Sequence, residues 1–380
     1  MSQSHSKTGK LTLCFGTRPQ VIKASVLLRV LRSRWPVTAI DTGQHYDFEL
    51  SGLLYEQLEV PRPDHFLEVG SDLPATQTAA VLTRTAEILR RDRPAAVVVI
   101  GDTNSTLGCA LAASKEDLPL VHVEAGLRSN EPNLPEEMNR RVVDILGSLL
   151  CAPSPACASR LESEKVPGSI MVTGDVARDV LLRHIRLTPP PAGGPPFALA
   201  TIHRAALTND GDALKSVIEG LAGLGMPVIF PVHPRTRQAL ERYGLLGSVP
   251  ASVSVRAPMG YLETIAAARD AAVVVTDSGG LQREAYWLGT PCVTLRRDTE
   301  WVETVECGAN ALVPPLEARE TLANTVAEQC QRKRGRPWTA DAYGDGNAAD
   351  RVADAIATHF NLSQLDSPSL NAGSPSTSFA

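Results

Sequence analysis

Long apolar runs are missing from this 380-residue chain. None approaches the roughly eighteen residues of a membrane span, and the polar start MSQSHSKTGK lacks a secretion-signal core. A cytoplasmic protein with no membrane partner is expected. Net charge is −5 and no basic stripe interrupts it, which argues against a nucleic-acid partner. Seven cysteines, an odd number, form no C-x-x-C pair and sit mostly in apolar runs. They read as reduced core residues rather than disulfides or zinc ligands. No H-x-x-x-H pattern offers a metal site, so none is expected. A G-x-G-x-x-G dinucleotide fingerprint is also absent, and none of the six tyrosines has a lysine four positions later. NAD-dependent sugar chemistry is therefore disfavoured, and no cofactor is expected. Lysine is scarce, seven against thirty arginines, so a lysine inside a motif carries weight.

What the chain does have is short β-rich runs alternating with longer amphipathic stretches. LTLCFG (11–16), VTAIDTG (37–43), AAVVVIGD (95–102), LVHVEAG (120–126) and SIMVTG (169–174) lead the first half. FALATIH (197–203), PVIFPVH (227–233), VSVRAP (253–258), AAVVVTDSG (271–279) and CVTLR (292–296) follow in the second. Continuous apolar runs suit parallel strands buried on both faces, and the alternation predicts an α/β fold of doubly wound parallel sheets. The Pro/Gly segment TPPPAGGPP (188–196) reads as a linker. The predicted organisation is a flexible start (1–10), a Rossmann-like domain (11–187), the linker, a second Rossmann-like domain (197–362) and a disordered Ser/Pro-rich tail (363–380), with a ligand cleft between the domains.

In open α/β sheets ligands sit at the carboxyl ends of strands, so the polar residues there are the candidates. The first strand runs into Gly16-Thr17-Arg18-Pro19-Gln20-Val21-Ile22-Lys23, a glycine turn and helix start with two cations suited to a diphosphate. Solvated charges on a first helical turn would look the same. Asp102 and Glu124 terminate two apolar strands; their plainer roles are a helix cap and a pair with Arg128. Glu136, in Pro135-Glu136-Glu137, could equally be helix-start chemistry with an i,i+4 partner in Arg140. In the second half, strands end at His203-Arg204 and His233-Pro234-Arg235. Thr276-Asp277-Ser278-Gly279-Gly280 opens a helix with bare backbone N–H groups for a phosphate, and Glu284, a turn further, could accept ribose hydroxyls.

These segments resemble, in order, the non-hydrolysing UDP-N-acetylglucosamine 2-epimerase family. The resemblance covers about residues 11–360. It rests on GTRPQVIK, GQHYD (43–47), GDTNSTL, HVEAGLRS, LPEEMNRR, PVHPRT, TDSGGLQREA, RRDTEWVETVECG and YGDGNAADR (343–351). It implies a GT-B-like pair of Rossmann-like domains whose last helix packs back on the N-terminal domain, and usually a homodimer. The implied activity interconverts UDP-GlcNAc and UDP-ManNAc without NAD or metal. By motif match, Asp102, Glu124 and Glu136 fall on catalytic acids and His203 on a catalytic histidine. Arg18, Lys23, Ser278, Gly279, Gly280 and Glu284 fall on UDP-binding positions, and His233 joins them as a substrate-binding candidate. Two departures stand out: Gln20 where many members have Glu, and Thr-Ile-His-Arg-Ala (201–205) in place of Gly-His-Arg-Arg-Glu. The second leaves open what orients His203.

The GQHYD, PVHPRT and TEWVE spellings look closer to members acting on modified UDP-sugars, including a diacetamido-uronic acid. A hydrolysing 2-epimerase, a GT-B glycosyltransferase and a non-catalytic sensor are the other readings. Many bacterial members resembling this chain use a second UDP-GlcNAc as activator, held at a regulatory site. Here Gln44 and His45 keep part of that site, but Asp47 stands where a Gln is usual, and residues 64–75 contain no Arg. A carboxylate beside a diphosphate is repelled, so activator-independent turnover is expected.

Overall fold

In the computed structural model, the described residues are 9–44, 54–129, 134–189, 193–331 and 342–365. His45, Asp47 and the tail from residue 366 lie outside them. The first sheet contains β1 (Leu11–Phe15), β2 (Val37–Asp41), β3 (His65–Phe66), β4 (Ala96–Ile100), β5 (Leu120–Val123), β6 (Leu149–Ala152) and β7 (Ser169–Val172). All are parallel, in the order β3-β2-β1-β4-β5-β6-β7. The second contains β8 (Ala198–Thr201), β9 (Val228–Pro231), β10 (Val253–Arg256), β11 (Val273–Thr276), β12 (Cys292–Thr294) and β13 (Asn310–Leu312). It is also parallel, ordered β10-β9-β8-β11-β12-β13. Each sheet reverses its winding between two central strands, β1/β4 and β8/β11. A crevice opens at the carboxyl ends there because neighbouring loops leave toward opposite faces.

The central strands are fully buried, as AVVVI of β4 and VVVT of β11 require when helices cover both faces. Strands stop short of the apolar runs that announce them because the chain turns. Gly101 has φ +71° and Glu124 φ +72°, and neither continues a strand. Three strands, β3, β6 and β13, are additional to the runs picked out in the sequence.

Six helices bear on the site: α1 (Arg18–Arg34), α2 (Asn104–Lys115), α3 (Pro135–Leu146), α4 (Val176–Ile185), α5 (Gly279–Leu288) and α6 (Ala348–Phe360). The last one crosses to the first sheet. Its Ala348, Val352 and Ile356 share one core with Leu11, Leu27 and Val98. Its first N–H groups, of Ala348 and Ala349, donate to Asp179 of α4 at 3.0 and 2.7 Å, and Arg34 of α1 pairs with Asp350 at 2.6 Å. Burial pushes the Asp179 carboxyl up to about 6 although those N–H groups favour its charge. Among the described residues, no helix is long and apolar enough to cross a membrane.

Candidate active site

Strand ends of both sheets build the site, those of β5 at Glu124 and β9 at His233 among them. β1 and β4 run into Gly16–Arg18 and Gly101–Asp102; β8 and β11 run into His203–Arg204 and Asp277–Ser278. Gln20 ties the first two together. Its Oε1 accepts from the Gly16 and Thr17 N–H groups at 2.9 and 3.1 Å. Its Nε2 donates to the Ile100 carbonyl at 2.6 Å and to Thr106 Oγ1 at 2.8 Å. A glutamate here could accept the same N–H groups but could not donate to Ile100 while ionised. The Gln at this position therefore has a structural use.

Glu124 is the centre of the charge arrangement. Its carboxylate is buried against the Lys23 ammonium, and Arg283 donates to its other oxygen at 2.9 Å. The same Arg283 nitrogen also meets Asp175, the N-cap of α4. Its guanidinium lies 3.8 Å from the centroid of the Trp301 ring. Burial pushes the Glu124 carboxyl up; Lys23 and Arg283 outweigh burial and hold it well below the usual carboxylate range. A left-handed backbone at a non-glycine residue costs about 1–3 kcal/mol. At Glu124 it is fixed by its own N–H and that of Ala125, both donating to the Cys151 carbonyl at 3.1 Å. Lys23 is thus engaged by Glu124, while the sequence reading assigns it to the diphosphate. The alternative Glu124–Arg128 pair does not form: Arg128 holds Asp144 at 2.8 Å and Glu164 at 2.5 Å.

Asp102 does not cap α2; Thr103 does, accepting from the Thr106 N–H. The Asp102 carboxylate instead receives Arg140 Nε at 2.9 Å, and its carbonyl receives Asn139 at 2.9 Å. Arg140 also meets Glu137 at 3.3 Å and, across the cleft, Glu300 at 3.3 Å. Burial would raise the Glu300 carboxyl, but Arg296 and Arg140 bring it down to about 2. Ser129 adds a second crossing, donating to Asp298 at 2.8 Å. Glu136, expected among the acids, is exposed, whereas its neighbour Glu137 is buried among arginines. The local Glu136–Arg140 pair is absent. Glu136 nevertheless shares a helix face with Asn139 and Arg140, both of which touch Asp102.

On the opposite wall, His203 Nδ1 lies 3.2 Å from Asp277, which also accepts the His203 and Arg204 N–H groups. Burial raises the Asp277 carboxyl, but its His203 contacts bring it below the ordinary value. Asp277 is what orients the histidine, a role that its motif alone did not reveal. His233 lies beside it, ring centroids 6.1 Å apart, accepting the Arg235 N–H on Nδ1. Burial, and then the neighbouring His203, push the His233 imidazole down. Ser278 caps α5 by accepting the Leu281 N–H at 3.2 Å. A Cβ at Gly279 would stand 3.4 Å from the Arg204 guanidinium, so Arg204 overhangs the bare helix start. Arg18 acts electrostatically on both Glu284 and His233. Burial raises the Glu284 carboxyl, with Arg283 opposing. Neither Arg18 nor Arg204 has an ion-pair partner among the described residues, and Arg204 is a cation at the α5 start that the sequence reading did not single out. Gln44, placed at the second site, is buried with Oε1 accepting from the Ser105 N–H at 2.9 Å and hydroxyl at 2.7 Å.

Two parallel-sheet domains meeting at their switch points, with Asp102, Glu124 and Arg18 on the first and Arg204, His203 and the α5 start on the second, define a GT-B-like arrangement. The family model for UDP-N-acetylglucosamine 2-epimerase matches residues 31–357. A Methanococcus maripaludis protein described as a UDP-N-acetylglucosamine 2-epimerase homolog is 40% identical over 358 residues, covering 91% of this chain and 99% of that one. The UDP-2,3-diacetamido-2,3-dideoxy-D-glucuronate 2-epimerase of Pseudomonas aeruginosa is 38% identical over 365 residues, covering 92% and 99%. The crystal structure of Methanocaldococcus jannaschii UDP-GlcNAc 2-epimerase with UDP-GlcNAc and UDP superposes with a TM-score of 0.84 at 33% identity, covering 92% and 99%. The chain belongs to the UDP-N-acetylglucosamine 2-epimerase family and is an isomerase.

The charge state of Glu124 gives a test. Its folded carboxyl titrates below the ordinary 4.5, so the stability it contributes is fully present above about pH 4.5 and is lost as pH falls toward the folded value. Glu124→Gln should lower unfolding free energy at pH 7 by roughly 3 kcal/mol, because Lys23 loses its partner. Urea titrations should show that deficit shrinking between pH 5 and 3.5. A deficit that stays constant over that range would contradict the assignment.

Proposed function

We propose that this protein inverts carbon 2 of a UDP-N-acetylhexosamine, converting UDP-GlcNAc to UDP-ManNAc in the cytoplasm without nicotinamide or metal. The observation that carries the reading is the division of charge in the cleft: carboxylates at Asp102 and Glu124, and, around the α5 start, Arg18 and Arg204 without ion-pair partners among the described residues, His203 and the bare N–H groups of Gly279 and Gly280. Carbon 2 carries an amide and has no adjacent carbonyl, so its proton is not acidic enough for direct removal. Breaking the anomeric C–O bond first, or in step, makes C1 oxocarbenium-like and acidifies the neighbouring C–H. Its loss yields 2-acetamidoglucal and UDP. Protonation of C2 from the other face, with UDP returning to C1, gives the epimer.

Each group then has a role. Arg18, Arg204, His203 and the α5 amides stabilise the departing diphosphate. Glu284 receives the ribose. Asp102, held by Arg140, takes the C2 proton. Glu124 is kept anionic by Lys23 and Arg283 and stabilises positive charge developing at C1. Glu136, the exposed acid of the α3 face that reaches Asp102, returns a proton.

Purified protein given UDP-GlcNAc in the presence of a chelator should form UDP-ManNAc, read by proton NMR. Asp102→Asn should lose at least about 100-fold in kcat while UDP affinity stays within twofold. Free ManNAc as the sole sugar product would make it a hydrolysing enzyme, and no conversion would overturn the reading. A second substrate, the diacetamido-glucuronate sugar of the Pseudomonas aeruginosa relative, is favoured by that protein's 38% identity; kcat/KM for the two sugars decides between them.

A homodimer is part of this proposal. On α3, Met138 and Ile145 are 59% and 60% exposed, and with half-buried Val142 they form one apolar face at i, i+4 and i+7. Sedimentation should show a dimer that Met138→Glu with Ile145→Glu converts to monomer. A monomeric native protein would contradict it.

A further inference from the structure

One buried titratable group has no part in the chemistry above. His122, in β5, is 0% exposed. Its Nδ1 lies 2.7 Å from Asp144 Oδ1, and its Nε2 lies 2.8 Å from the Gly101 carbonyl oxygen. Asp144, equally buried, receives Arg128 at 2.8 Å and the Gly126 N–H at 3.3 Å. Burial pushes the Asp144 carboxyl up; the His122 and Arg128 contacts outweigh burial and bring it below the ordinary value. Arg128 and the Gly126 N–H, both donating to Asp144 independently of His122, keep it a carboxylate without a proton to give, and a backbone carbonyl never has one. Both ring nitrogens of His122 face acceptors, so each must donate. A neutral ring would set a lone pair against an oxygen inside 3 Å, with no water to separate them.

We propose that His122 is a buried imidazolium that acts as a positioning residue, locking together the two strand-end loops that carry Asp102 and Glu124. The carbonyl it holds belongs to the peptide joining Gly101 to Asp102, and Gly101 stands at φ +71°. Through Asp144 it also holds Gly126, at φ +83°, two residues beyond Glu124. Glycine reaches either conformation at little cost, so the hydrogen bonds to His122 and Asp144 are what hold the two loops there. The loops tolerate little drift, since a Cβ at Gly101 would stand 3.2 Å from Glu124 Oε2, and one at Gly126 would stand 2.5 Å from the Cys157 carbonyl. Both acids are thereby set in register by one ion-paired unit beneath them. An error of about 1 Å between base and substrate costs on the order of a hundredfold in rate.

The catalytic part rests on the epimerase reading, so the test has one arm that does not. In the full-length native protein at pH 7.5, nitrogen-15 NMR of the His122 ring, assigned through its own side-chain correlations, should show both nitrogens at imidazolium shifts with slowly exchanging protons. One protonated and one bare nitrogen would overturn the charge assignment. The second arm compares His122→Asn, whose amide reaches only Asp144, with His122→Gln, whose amide reaches the Gly101 carbonyl. Folded His122→Asn should lose at least tenfold in kcat with UDP affinity within twofold of native, and His122→Gln should regain part of the loss. Native kcat in folded His122→Asn, or parallel loss of kcat and UDP affinity, would overturn the positioning role. Should neither variant fold, the native NMR arm decides. A native protein inert toward both UDP-sugars would sink the epimerase reading and leave that arm standing.

Discussion

The arrangement depends on one buried carboxylate held by two cations from different domains. Glu124 takes Lys23 from its own domain and Arg283 from the other, and Arg283 simultaneously takes Asp175. Two acids and two bases thus balance in a space that excludes water. Desolvating each ion costs several kcal/mol, and only the complete set offsets it. The set is complete only with Arg283 of the second domain in place, so the same interaction that joins the two domains also fixes the charge of Glu124. Trp301 lies along the Arg283 guanidinium and Tyr343 packs edge-on against Trp301 at 5.3 Å, which supports the guanidinium from a side that the acids leave open.

A second crossing repeats the logic at the acid's neighbour. Arg140 bridges Asp102 and Glu300, and Ser129 reaches Asp298. The loop 296–300 of the second domain therefore contacts the machinery of the first. Lys23, Arg140 and Arg283 are matched by carboxylates, while Arg18 and Arg204 near the α5 start have no ion-pair partner among the described residues. In the proposed reaction the diphosphate goes to these two cations and the sugar ring faces the acids. That reaction needs both, because the C2 proton becomes acidic only as the anomeric bond breaks.

Much of this was legible in the sequence because strand ends announce themselves. Apolar runs stopping at Asp102, Glu124, His203 and Asp277 place polar residues at switch points without any knowledge of contacts. The strands overlooked were those with weak local signals: β3 has two residues, β13 opens on the polar Asn310, and β6 is only the four residues LLCA before a proline. Pairings were harder. Local spacing offers Glu136 to Arg140 and Glu124 to Arg128, yet the partners are Asp102 for Arg140, and Lys23 and Arg283 for Glu124. Those partners are distant in sequence and are chosen by burial, which one-dimensional spacing cannot register. The same holds for Asp277 on His203, and for Gln20, whose amide donors matter only because Ile100 and Thr106 stand opposite.

The central claim is that UDP leaves and the C2 proton is exchanged by acids on the cleft wall. Its most direct test is epimerisation of UDP-GlcNAc in deuterated water, with the product examined by NMR at carbon 2. The account predicts one solvent deuteron at that carbon in UDP-ManNAc, with trace 2-acetamidoglucal and UDP accumulating at equilibrium. Product that retains its original C2 proton would contradict it.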